Sequence, residues 1–307
     1  MKTNNFLFKS IALVVLGAAI VNCSDDDSDP LPPIGGYNNA DEVAAADLLA
    51  YWPLNGNGTE SKSSTNPSST VATTYVTGIK GQAASFNEGY MAYPAIAALS
   101  STSGSASISC WAKISNTKLV PDGVSNISPI FSLTRTGETF GNLNLLGETH
   151  GLTTSDSIQM KGVFRIKQED GSEFGGDAVN MLKMEQWMID GNANGENHQA
   201  FANKIGGQWA HIVYVFDGAA GANKLYVNGV KISNPQWEVR NGGAPKMLNH
   251  YTPTRPVIGA LETVVTGANG DAWNKALKGG VDELRVYNKA LTTAEIGALY
   301  ELEKAGR

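Results

Sequence analysis

The sequence predicts an all-β protein with one short helix at its C-terminal end. Three observations predict it. Trp209 to Phe216 is eight residues of Trp, Ile, Val, Tyr and Phe broken only by Ala210 and His211. It is too short for a comfortable helix and reads as a strand buried on both faces. Asp217-Gly218 then opens a small-residue loop, and Asn228-Gly229 lies between the apolar Leu225, Val227 and Val230. Asn-Gly tolerates positive φ at both central turn positions, so it closes a two-residue hairpin. Finally, Val281 to Tyr287 alternates with period two, with Val281, Glu283, Arg285 and Tyr287 on one side and Asp282, Leu284 and Val286 on the other.

The helix follows that last strand. Thr292 can cap it, Glu295 three residues later completes a capping box, and Leu291 can staple to Ile296. Ile296, Leu299, Tyr300 and Glu303 then share one stripe, which is expected to close an end of the fold.

Composition bounds the rest. The chain has 307 residues, 34 of them glycine, and is 42% hydrophobic. That suffices for one large all-β domain of ~200–250 residues. A net charge of −6 with no Lys/Arg cluster argues against a nucleic-acid partner.

Residues 1–22 read as a signal peptide. Lys2 and Lys9 flank a polar start, and Ile11 to Val21 is an apolar run of eleven residues, too short to span a bilayer. Ile20-Val21-Asn22-Cys23 resembles the lipobox of bacterial lipoproteins, although Asn22 stands where a small residue is usual. The resemblance implies that Cys23 is acylated and becomes the new N-terminus; an ordinary secretory signal cleaved elsewhere is the alternative. Ser24-Asp25-Asp26-Asp27 is similar to the surface-export tag of some Gram-negative lipoproteins, and otherwise reads as a solvated linker. With Pro30, Pro32, Pro33, Gly35 and Gly36 it makes residues 23–44 a tether. The implied location is the outer membrane, lipid-anchored and facing outward. Cys110, in the alternating Ala106–Ala112 stretch, then has no disulfide partner and reads as a small core residue.

The landmarks of residues 45–307 resemble one family. Leu49-Ala50-Tyr51-Trp52-Pro53-Leu54-Asn55-Gly56, the Gly78–Phe86 stretch, Ser107–Ile114, Ile130–Leu133, Trp209-Ala210-His211, Leu225–Gly229, Val257-Ile258-Gly259 and Val281–Leu291 occur in the order of the laminin-G-like branch of the concanavalin A-like lectin/glucanase sandwiches. The resemblance implies a two-sheet antiparallel β-sandwich, a jelly roll, with the last strand beside the first. It departs from the family at about 138–205, an insertion. There Ile158–Ile166 reads as an added strand and Glu169-Asp170-Gly171 as its turn, with Glu173 also at the turn. Met181–Ile189 reads as a short helix or strand over a sheet, either a binding element or a lid over core.

Two places could hold calcium. Asp190, Asn192 and Asn194, with Gly195, match the first half of an EF-hand loop, but Phe201 stands where the closing Glu belongs. The run is equally a good turn. The family resemblance implies a structural calcium on Asp282 with main-chain oxygens from the Asn55-Gly56-Asn57-Gly58 loop. The alternative for Asp282 is a carboxylate bonded to backbone amides.

No catalytic set is visible. There is no Glu-x-Asp-x-x-Glu strand of the laminarinase type, no metal-binding His spacing among His150, His198, His211 and His250, and no nucleophile elbow. His211 reads as a core histidine. Trp187, Trp237, Tyr251 and Trp273 fall outside the family's core strands, beside polar residues, and are the candidate sugar platforms; rim packing is the alternative for each. The expected function is non-catalytic glycan binding by a surface lipoprotein. The alternatives are a protein-binding adhesion module, or a glycoside hydrolase with no recognisable acid pair.

Overall fold

A computed structural model describes residues 31–115, 126–148, 154–180 and 204–307. Thirteen strands make up nearly all of its regular structure. They are β1 Leu48–Trp52, β2 Ser69–Thr77, β3 Gln82–Ala92, β4 Ala106–Ile114, β5 Ile127–Leu133, β6 Leu143–Glu148, β7 Gln159–Lys167 and β8 Glu173–Val179. Then come β9 Trp209–Asp217, β10 Ala222–Val227, β11 Val230–Lys231, β12 Pro256–Ile258 and β13 Leu277–Tyr287. The helices are the single turns α1 Pro235–Glu238 and α2 Glu262–Val265, and the longer α3 Thr293–Lys304.

All pairings are antiparallel, in one path β11-β10-β9-β4-β13-β3-β12-β5-β6-β7-β8, with β1 on β13 and β2 on β3. The path doubles back at β3, whose first half pairs β13 and whose end pairs β12. Two layers result. Ile212, Tyr214 and Phe216 of β9 and Ile108, Cys110 and Ala112 of β4 enter the same core as Leu145 of β6 and Phe164 of β7. At Gly162 an added Cβ would lie 2.1 Å from the Tyr214 ring, so only glycine lets β7 close on β9. Phe164 meets Phe216 beside it at 4.7 Å between ring centres.

Local codes behave as their chemistry dictates. Asn228 and Gly229 take φ of 50° and 78° and turn β10 into β11. Tyr51 of β1 lies opposite Arg285 of β13, so the first and last strands are neighbours. Thr292 and Glu295 form both hydrogen bonds of the capping box, and Leu291 and Ile296 share one apolar cluster. Cys110 is a buried free thiol, and burial pushes its pKa up.

Three features differ from the sequence expectations. The period-two pattern of β13 is broken by a bulge: Glu283 sits at φ 50° and the register shifts between Asp282 and Arg285. Val281 therefore joins Leu284 and Val286 in the core instead of lining up with Glu283 and Arg285. Helix α3 covers the outer face of the β9–β4–β13 layer rather than an end, because Ile296, Leu299 and Leu302 pack on Val213, Val215 and Tyr287. Glu173 is not in the turn but is the first residue of β8, paired with Lys167, so the described part of the insertion adds three strands, β6 to β8.

Candidate functional site

The two outer faces of the sandwich are built differently. On the β9–β4–β13 side, α3 and residues 34–48 seal an apolar cluster around a buried charge. Arg285, fully buried, pairs with Glu303 and Glu283 and reaches Asp41 at 2.9 Å. Glu283 also accepts from the Tyr51 hydroxyl, and Trp111 Nε1 donates to Glu303 at 2.7 Å. Burial works against the Arg285 charge, but Glu303, Tyr51 and Glu283 outweigh it. Burial pushes Glu303 up to about 7 against the pull of Arg285, and burial with Arg285 pushes His211 down to about 3. His211 is the core histidine its strand suggested.

Ser109 and Glu303 flank His211 in a way that looks like a nucleophile relay and is not one. Ser109 Oγ and Glu303 Oε2 approach the same nitrogen, Nε2, at 2.9 and 3.7 Å. A relay needs them on opposite nitrogens, and all three side chains are sealed from solvent. The part of this face under α3 is structural.

The outer face of β5 to β8 is open only in part: every residue of β5 and all of β6 but Glu148 are buried, and the exposed side chains stand on β7, β8 and the bordering loops. Its frame is Asn142, fully buried, which grips the Tyr251 backbone in both directions: its amide donates to Tyr251 O at 2.8 Å and its Oδ1 accepts from Tyr251 N at 3.0 Å. Its carbonyl accepts from Arg165 N, tying the same corner to β7. Gly141 passes against Leu133 O, where a Cβ would lie at 2.0 Å, and this close passage sets down Phe140 over the face.

Around that frame six side chains form an unbroken series. Tyr251 carries Arg135 over its ring at 3.8 Å. Arg135 reaches Glu173 at 2.5 Å, and Glu173 takes Arg165 at 3.1 Å. Arg165 lies 5.8 Å from the Phe140 ring, and Phe140 stacks on Trp273 with 12° between planes and 6.3 Å between centres. The three aromatics are each partly exposed. Trp273 and Phe140 rest on outward Ile127, Leu146 and Val163. A shallow depression of about 380 Å³ runs alongside, lined by Phe140, Lys161, Arg165, Glu173 and Asp177. Lys161 bridges Glu148 at 3.4 Å and Asp177 at 3.2 Å. Burial lowers its pKa, but Glu148 and Asp177 outweigh that and hold it above the ordinary lysine range. Each of these three cations on the face is thus matched to a carboxylate, while the three rings stay partly exposed.

Of the residues the sequence singled out, Tyr251 and Trp273 come together on this face. Trp237 lies outside the series, packed on Val179 at the end of β8. Trp187, Asp190, Asn192, Asn194 and Cys23 lie outside the described residues. Asp282 shows the amide-bonded alternative: its Oδ2 accepts from Ile79 N at 2.7 Å and Lys80 N at 3.3 Å, and its Oδ1 from Glu283 N at 3.0 Å. Burial pushes it up to about 6 despite those amides. Asn57, exposed, spends its Oδ1 on Thr59 N. Among the described residues no three His, Cys, Asp or Glu side chains group as a metal would need. Arg135, Phe140, Arg165 and Glu173 escaped the sequence reading. The one available signal was Lys161, Val163 and Arg165 at alternate positions of β7, facing the acids of β8.

No curated protein matches the chain. Among solved structures, domain 4 of AbnA, an extracellular GH43 arabinanase from Geobacillus stearothermophilus solved with arabinotriose, is 19% identical, covers 82% of this chain and 98% of its own, and has a TM-score of 0.48. The binding domain of Paraclostridial Mosquitocidal Protein 1 is 14% identical over 83% of this chain and 52% of its own, with a TM-score of 0.45. The Trypanosoma rangeli sialidase, as its covalent intermediate with 2,3-difluorosialic acid, is 15% identical over 84% of this chain, at a TM-score of 0.47. This chain spans only 33% of that sialidase. The family model Laminin_G_3, concanavalin A-like lectin/glucanases superfamily, matches residues 86–297, more than half of the sequence. With the two-layer antiparallel fold described above, the chain belongs to the Laminin_G_3 family of the concanavalin A-like lectin/glucanase superfamily.

Proposed function

We propose that the chain is a non-catalytic glycan-binding protein and that the glycan lies along the open face of β5 to β8. The observation that carries this reading is the series Tyr251–Arg135–Glu173–Arg165–Phe140–Trp273. Aromatic rings accept the C–H faces of sugars, and the fixed guanidinium and carboxylate groups between them offer directional partners to hydroxyls. Because the cations of the series are paired to Glu173, a neutral, hydroxyl-rich chain fits better than an anion. The test is isothermal titration against a panel of neutral and acidic polysaccharides, repeated with Phe140→Ala and Arg165→Ala. Weakened binding to a neutral polymer in both variants supports the reading; unchanged binding removes it. Release of reducing ends in the same tubes would move the protein to the hydrolases, and capture of a protein with no glycan response would make it an adhesion module.

The proposal includes the tether. Acylation of Cys23 would hold the domain on the outer membrane, with a spacer shorter than the 23–44 stretch, because residues 34–44 pack against α3 as part of the fold. Metabolic labelling with a palmitate analogue tests it: label lost in Cys23→Ala supports the anchor, and label retained, or never present, contradicts it. Calcium enters this reading through Asp190, Asn192 and Asn194 or through Asp282 with the Asn57 loop, and a thermal shift with calcium and with chelator tests it.

A further inference from the structure

Helix α3 covers only part of its face. On β4, the outward Ser109 and Trp111 lie beneath it, and the next outward residue, Lys113, is exposed. Cross-strand register continues this row: Trp209 of β9 pairs with Lys113, Lys113 with Gly280 of β13, and Gly280 with Ser85 of β3. One step further along, Lys278 pairs with Asn87. These residues form the floor of a groove of about 1030 Å³, walled on its far side by Ile127 and Ser128 of β5.

Two properties set the groove apart from the open face. The first is Trp209. An added Cβ at Gly280 would lie 2.7 Å from the indole, so glycine is what allows the ring to lie across β13. The indole stays partly exposed at the groove, a preset apolar platform. The second is charge. Lys113, Lys275 and Lys278 all line the groove, all are exposed, and none forms an ion pair among the described residues. Among the described residues Glu88 is the only acid of the lining. In a chain of net charge −6, three lysines against one acid among the described lining residues make a local positive field.

We infer that this groove is a second site, distinct from the open face, that binds an anionic sugar: a pyranose bearing a carboxylate or a sulfate. The ring's C–H face stacks on Trp209, and its anionic group pairs with Lys113 and Lys278. The inference stands on the groove alone and does not depend on the reading of the open face.

The test is titration of the folded protein with polygalacturonate, chondroitin sulfate and a neutral polymer, for wild type, Lys113→Glu/Lys278→Glu, Trp209→Ala and Phe140→Ala. The lysines are exposed, so the charge-reversed variant should melt as wild type does. The expected result is at least tenfold weaker binding of an acidic polymer in the lysine variant and in Trp209→Ala, with Phe140→Ala unaffected. Wild-type affinity should also fall as salt is raised. Preference between the uronate and the sulfate polymer identifies the anion. Acidic-polymer binding unchanged in the lysine variant, or no binding of either acidic polymer by wild type, overturns the inference.

Discussion

The two outer faces of one sandwich use arginine in opposite ways. Arg285 is fully buried under α3, paired with Glu303, Glu283 and the exposed Asp41, and its removal would strand the two buried glutamates. Arg135 and Arg165, partly exposed, meet Glu173 at the surface, where an ion pair adds little stability but fixes the position of each guanidinium. The same chemistry therefore holds a helix down on one side and presents a patterned surface on the other. What separates the cases is cover: α3 with residues 34–48 on one face, and Asn142-tethered loops on the other.

The comparison can be broken at several points. The largest effect is expected at Glu303→Ala, which removes a buried partner of Arg285 and should cost ~3–5 kcal/mol. The melting temperature should fall on the order of 10 °C, while any glycan bound on the open face keeps its affinity. If the variant melts as wild type does, the covered face is not the structural one. Gly162→Ala comes next. Its new methyl would enter the Tyr214 ring, and overpacking of this kind costs ~1–3 kcal/mol; denaturant titration reads it directly.

Phe140→Ala should weaken glycan binding about tenfold, ~1.4 kcal/mol, with a melting temperature near that of wild type. A large drop in melting temperature without loss of affinity would make Phe140 packing over Ile127, Leu146 and Val163 and nothing more. The smallest effect is a pH dependence. Folded His211 stays neutral down to about 3, against an ordinary value of 6.5. The unfolded chain therefore binds its proton first, and stability is lost as pH falls below 6.5. The loss should be about 1 kcal/mol over the first unit and absent from His211→Gln. Glu303, raised to about 7, works in the opposite direction in both proteins, so their difference isolates His211.

Much of the fold was legible in the sequence because its codes are local. Asn228-Gly229 specifies its turn by φ alone, and Thr292 with Glu295 specifies a helix start within four residues. The β13 bulge was not legible, since nothing in Val281–Tyr287 betrays that Glu283 takes positive φ; the pattern looks unbroken until the Asp282 carboxylate is seen gripping Ile79 and Lys80. The open face was legible only in part. Tyr251 and Trp273 stood out as aromatics beyond the core strands. Arg135, Phe140, Arg165 and Glu173 look like ordinary loop and strand residues, and only the pairing of β6 with β7 and β7 with β8 assembles them.

The central claim is that the face of β5 to β8 is the one that meets a neutral glycan. Hydrogen exchange with and without the neutral polysaccharide that binds most tightly tests it most directly. The account predicts slowed exchange in residues 134–141, in β7 and β8 and around Tyr251 and Trp273, with α3 unchanged. Protection centred on α3 and residues 34–48, with none on β7 and β8, would contradict it.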